Sequence, residues 1–214
     1  MRRPASIIAA PWTGREAHCR SLRATGTHTR IKDVFVTSVE RSAVSEVAQT
    51  PMKGAVREAM EEQIGHEFSA AYLYLSMSGS FEAANLTGFA RWMRAQAAEE
   101  QVHALKFFDF LLDRGETVRL PAVEEPPHTF NSPLDTFERA LEHEKRVTSH
   151  IHDLYDLAVS EHDYPAQVLL NWFVSEQVEE EKSATEIAER LRMAGEDTAA
   201  LLMLDKELGE RQQG

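Results

Sequence analysis

The chain has 214 residues, 43% of them hydrophobic and 27% charged, so it carries enough apolar material for a sizeable core. Its net charge of −12 argues against a nucleic-acid binder, and its single cysteine, Cys19, excludes an internal disulfide, a CxxC zinc site and an iron–sulfur cluster. No stretch approaches the roughly 20 apolar residues that a membrane helix needs; with one cysteine, any metal chemistry would fall to carboxylates and imidazoles.

Residues 1–51 are rich in Arg, Ser and Thr, carry +4 and leave −16 on the remainder. They show no sustained helical period, and Glu16 is their only acid before Asp33. The composition fits an organelle-targeting leader, although the apolar run Ala5 to Ala10 is short for a signal-peptide core. The plainer reading is a disordered, dispensable extension, or an upstream start codon with Met52 as the functional first residue; either way 52–214 is the folded domain.

From Met52 onward the helical period dominates. The pattern predicts a first helix over about 53–82 and a second over about 86–114, with Asn85 capping its start and Gly115 supplying a left-handed stop. A long link follows over 116–131, broken by Pro121, Pro126 and Pro127. Ser132-Pro133, a cap followed by a first-turn proline, opens a third helix that runs to about Glu161. Asp163 and Pro165 mark a fourth that ends before Gly195, and a short fifth covers about 197–208. Two short connections make antiparallel pairs, and the long link lets the second and third helices run parallel. The expected fold is an all-α four-helix bundle with one long crossover and a short C-terminal helix.

Each long helix has an apolar stripe at spacings of three and four. The second reads Leu86, Phe89, Met93, Gln96, Glu100, His103, Phe107, Phe110. The third reads Leu134, Phe137, Leu141, Glu144, Thr148, Ile151, Tyr155. The fourth reads Leu169, Phe173, Glu176, Glu180, Ser183, Ile187, Leu191, and the first Val56, Met60, Ile64, Glu67, Ala71, Tyr74. All four stripes are interrupted by a carboxylate near mid-length. A buried unpaired carboxylate costs several kcal/mol, and few basic residues lie on these stripes, so divalent cations would resolve the conflict. Glu100-x-x-His103 puts an oxygen and a nitrogen ligand one turn apart on one face, and mixed carboxylate/imidazole ligation suits iron or manganese.

Taken singly, each signal has a plainer explanation. A lone Glu-x-x-His is more often a solvated surface pair, and Glu179-Glu180-Glu181 would ordinarily be a solvated face. Those explanations do not account for four stripes interrupted at one depth. His66, His143, His150, His152 and His162 fall off the stripes and are expected to be exposed. Trp92 and Trp172 are expected in the core or at an interface.

Tyr72 to Met77 after Glu67, Ala98-Glu99-Glu100-x-x-His103, Val174-Ser175-Glu176-Gln177-x-Glu179-Glu180 and Leu204-Asp205-Lys206-Glu207-Leu208-Gly209 together resemble the non-haem bacterial ferritins over about residues 52–210. The resemblance implies a ferritin-like bundle that oxidises Fe(II) with oxygen or peroxide and stores Fe(III) as mineral in a 24-subunit cytoplasmic shell. It implies that Glu67, Glu100 and His103 hold one iron, with Glu100 bridging, and that Glu144 and Glu180 hold the second, with Gln177 close by. It further implies a third iron position from Glu99, Glu176 and Glu179, and a role for Tyr74 as electron donor beside the centre. The haem-bearing relatives repeat Glu-x-x-His on the fourth helix and place a methionine after the bridging glutamate. Ser183 and Gln101 stand there instead, so no haem is expected. The competing functions are a di-metal oxidase acting on a small substrate and a shell subunit with an inert centre.

Overall fold

The structure is a computed structural model, and it describes residues 51–210. The expectations for 1–50 lie outside the described residues. Five helices follow in order: α1 Gly54–Ala83, α2 Thr87–Asp113, α3 Pro133–Ser160, α4 Tyr164–Ala194 and α5 Thr198–Gly209. The predicted helices are all present, each within a residue or two of its expected ends. Among the described residues, no helix is long and apolar enough to cross a membrane.

The caps explain most boundaries. Ser132 accepts a hydrogen bond from the Asp135 amide at 3.1 Å and Pro133 occupies the first helical position, where its missing N–H costs nothing. Asp163 accepts from the Ala166 amide at 3.1 Å and also holds Arg114 at 2.8 Å, tying the end of α2 to the start of α4. Gly115 has φ +78°, the left-handed stop expected of it.

The start of α2 departs from expectation. Asn85 is not its cap: the residue lies in the left-handed region at φ 59°, which Asn tolerates better than most side chains, and the cap position falls on Leu86. The first-turn amide of Phe89 is instead taken by Asp205 Oδ1, at 2.8 Å, from α5. The approach is so close that a Cβ on Gly88 would sit 1.6 Å from the Asp205 carbonyl oxygen. A long-range partner has displaced the local one.

α1 packs on α2, α3 on α4, α1 on α3, and α5 on α2 and α4. Two apolar clusters fill the bundle. One gathers Phe81, Phe89, Phe137 and Leu191, and the other gathers Met60, Phe107, Ile151 and Phe173. Each cluster joins the late part of α1 and α4 to the early part of α2 and α3, or the reverse. α2 and α3 are therefore parallel, as the long link predicts. Between the clusters every long helix has a gap, and the stripe carboxylates fall into it.

Candidate metal centre

Glu67 from α1, Glu100 and His103 from α2, Glu144 from α3 and Glu180 from α4 are all buried, none more than 6% exposed. Glu67, Glu100 and His103 bring ligand atoms within 4.8 Å of one another, and so do His103, Glu176 and Glu180. His103 Nδ1 lies 3.4 Å from Glu100 Oε2. The helices thus bring Glu67, Glu100, His103, Glu176 and Glu180 within ligand reach of one another in two overlapping groups, and Glu144 lies near enough to raise the carboxyls of Glu67 and Glu100.

Buried donors surround them. Tyr74 donates its hydroxyl to Glu144 Oε1. Gln177 Nε2 lies 3.4 Å from Glu144 Oε2, 3.3 Å from the Glu144 carbonyl oxygen and 3.3 Å from Thr148 Oγ1. Gln63 donates to Glu67 Oε1 and Gln96 to Glu180 Oε2, each at 2.8 Å. Among the described residues, Glu67 Oε2 and Glu100 Oε1 remain buried without a hydrogen-bond donor. A buried acceptor left so is costly, and a proton shared between the two carboxyls or a bound cation would each satisfy the pair.

Burial dominates the electrostatics. Desolvation raises the carboxyls of Glu67, Glu100 and Glu144 above the usual range. Neighbouring carboxylates push Glu100 further up, whereas at Glu67 the hydrogen bonds from Gln63 and Glu100 partly offset the rise and Glu144 adds to it. The hydrogen bonds from Tyr74 and Gln177 partly offset the rise at Glu144. Desolvation, with Lys106 adding repulsion, drops the His103 imidazole to about 4, so at neutral pH it is the uncharged form that binds metals. The Tyr74 phenol is raised well above its ordinary value by burial and by the surrounding carboxylates, and so stays protonated. The donor set fits hard divalent and trivalent ions.

The residues expected at a third position are more dispersed. Glu176 joins His103 and Glu180. Glu99 lines a cleft of about 350 Å³ between α2 and α4 together with His103, Lys106, Trp172 and Glu176. Glu179 is exposed and lies 3.9 Å from Lys182. Among the described residues, Glu99, Glu176 and Glu179 do not close into one ligand group.

The histidine expectation needs correction. His152 and His162 are exposed, but His66, His143 and His150 are half-buried. His66 stacks on His150 at 4.1 Å between ring centroids, and His66 and His143 line a cleft with Pro121, Pro126 and Pro127 of the crossover. The crossover covers a helix face that would otherwise meet solvent. It lies so close that a Cβ on Gly65 would come within 2.4 Å of Pro121 Cγ. Trp92 is in the core, as expected, and Trp172 is 38% exposed and packed edge-on to His103.

The sequence pattern assigns no role to two residues that touch the buried carboxylates, Gln63 and Gln96. Gln96 sits on the α2 stripe and Gln63 one turn before Glu67. A buried amide one turn from a ligand was the available signal.

The family model for a ferritin-like domain matches residues 57–194. A bacterial non-heme ferritin of Bacteroides fragilis is 38% identical over 156 residues, covering 73% of this chain and 97% of the relative. One of Staphylococcus saprophyticus is 39% identical over 154 residues, covering 72% and 92%. Among solved structures, the open-pore ferritin of the archaeon Archaeoglobus fulgidus superposes with a TM-score of 0.76 at 50% identity, covering 77% of this chain and all of that one. An engineered closed form of the same ferritin gives 0.75 at 51%, covering 76% and 99%. With the fold, the level of the carboxylates and these relatives in agreement, the chain belongs to the ferritin family, among its non-haem bacterial-type members.

Proposed function

We propose that this protein is an iron-storage subunit with ferroxidase activity, oxidising Fe(II) at a two-iron centre for deposition as mineral inside a protein shell. The observation that carries the reading is the burial of four carboxylates and one neutral imidazole at one level between two apolar clusters. Membership of the ferritin family supports iron storage.

In this reading Glu67, Glu100 and His103 take one Fe(II), and Glu100 shares itself with the second, which Glu144 and Glu180 hold with Gln177 beside them. Each Fe(II) gives up one electron. Dioxygen takes two electrons and two protons and leaves as hydrogen peroxide, or peroxide takes two electrons and two protons and leaves as water. The carboxylate oxygens favour the harder Fe(III) product, and the apolar clusters at both ends keep bulk water from the centre. Tyr74, hydrogen-bonded to Glu144, would be a one-electron donor held in reserve beside the centre, drawn on only when one of the two Fe(II) is missing from either step. A third iron position would draw on Glu99, Glu176 and Glu179, with Glu179 leaving Lys182 to reach it. Gln101 and Ser183 make a haem site unsuited to this chain.

The ferritin-like domain over 52–214 would assemble into a homo-oligomeric, 24-subunit cytoplasmic shell with α5 lining an axis, and residues 1–51 would be dispensable to it. Aerobic loading of the metal-free protein with Fe(II), followed by size exclusion with iron and protein both monitored, tests the reading. A large particle carrying far more than two irons per subunit is expected. A monomer or dimer that retains about two irons sinks storage, and a large shell that mineralises no faster than buffer sinks the ferroxidase.

A further inference from the structure

Three of the four core carboxylates are held by buried glutamine amides. Gln177 lies among the ligands and reaches Glu144. The other two stand outside them. Gln63, 2% exposed, donates to Glu67 Oε1 at 2.8 Å from one turn earlier on α1, and its carbonyl oxygen faces His66 Nδ1 at 3.3 Å. Gln96, fully buried on α2, donates to Glu180 Oε2 at 2.8 Å across the bundle. Glu100 has contacts of another kind, with His103 Nδ1 at 3.4 Å and with the Glu67 carboxyl.

The division has a chemical consequence. An amide N–H on one carboxylate oxygen fixes the rotation of the group, occupies one oxygen and turns the other toward a metal. That favours a terminal ligand serving one ion. Glu67 has this form: Oε1 is held by Gln63, and Oε2 is buried with no protein donor. A carboxylate without an amide partner keeps both oxygens for two ions, which is what bridging requires of Glu100. An amide also has no proton to lose, so its hold persists whatever the charge of the carboxyl. Oxygen and nitrogen of an amide are told apart by their partners, and the facing carboxylate, an acceptor when ionised, puts Nε2 inward at both positions.

We propose that Gln63 and Gln96 are positioning residues that tune the two halves of the centre separately: Gln63 sets Glu67 for the ion beside His103, and Gln96 sets Glu180 for the other. The inference rests on the two-metal reading above. A purely structural role, the satisfaction of buried polar groups, would instead couple both glutamines to stability and to both sites alike.

Co(II) alone, titrated into the metal-free assembled protein, separates these cases. Calorimetry gives the two affinities, and the visible spectrum distinguishes the imidazole-bearing ion from the one with oxygen ligands. Gln63→Met should weaken the His103-side site about 10- to 100-fold, the usual effect of removing an outer hydrogen-bond partner, and leave the other within about threefold. Gln96→Met should do the converse. Gln63→Asn and Gln96→Asn keep the amide but withdraw it by one methylene, and should reproduce the same split if the Met variants do not fold. Variants that lower both affinities together, or neither, overturn the inference. Wild-type protein that binds fewer than two Co(II) per subunit overturns the two-metal reading itself.

Discussion

Tyr74 on α1 donates its hydroxyl to Glu144 on α3, joining two helices through residues 70 positions apart in the chain. The phenol is held protonated by burial, so it remains a donor at any physiological pH. Tyr74→Phe leaves Glu144 with Gln177 alone. The variant should still bind two Co(II) per subunit but oxidise Fe(II) about tenfold more slowly, as measured by stopped-flow absorbance. Oxidation at the wild-type rate would remove Tyr74 from the mechanism.

The metal-free protein should lose stability as pH rises above about 6.5. Glu67, Glu100 and Glu144 have folded values raised above those of the unfolded chain, so the folded state holds protons that the unfolded state has released, and stability drains away as pH climbs through those values. His66, His103 and His143 are shifted down by burial and contribute the opposite slope, but only below the ordinary histidine value. Above it only the carboxyls remain. The thermal midpoint of the metal-free protein should therefore fall between pH 6.5 and 8.5, and Co(II) should abolish that fall, because metal binding requires the ionised form. A midpoint that rises over this range in the absence of metal would contradict the burial assigned to the centre.

α5 depends on its grip on the start of α2. Asp205→Ala removes the acceptor of the Phe89 amide and should cost about 1 kcal/mol, as the loss of a helix cap does. Gly88→Ala should cost more, because its methyl meets the Asp205 carbonyl and α5 must move away. Proteolysis after Gly195 provides the readout: faster release of α5 in both variants, with Gly88→Ala the more sensitive. Equal resistance in all three proteins would mean that α5 is held elsewhere.

A chain that begins at Met52 should assemble and oxidise Fe(II) as the full chain does. Size exclusion and initial oxidation rates compare the two directly. A truncated chain that fails to assemble would give residues 1–51 a role in the shell.

The bundle and the burial of its stripe carboxylates were legible because both follow from period and polarity. Leu86, Phe89, Met93, Glu100 and His103 recur at helical spacing, and a glutamate inside such a stripe is conspicuous where apolar side chains are required. What escaped depends on contacts distant in sequence. Asn85 looks like a cap, yet the group that caps α2 is Asp205, 116 residues after Phe89. His66, His143 and His150 look exposed on isolated helices; the crossover lies against His66 and His143, and His150 stacks on His66. Gln63 lies at the edge of its stripe, where an amide reads as the margin of an amphipathic face until Glu67 is seen to need it. Glu179, placed by motif with Glu99 and Glu176, faces Lys182.

The central claim is that two irons are oxidised together among these carboxylates. Stopped-flow oxidation of Fe(II) added stepwise to metal-free protein tests it most directly. A fast phase whose amplitude breaks at about two Fe(II) per subunit, and which vanishes in Glu100→Ala while the shell stays assembled, is the predicted result. A fast phase that survives in Glu100→Ala, or the absence of any fast phase in the wild-type protein, would contradict it.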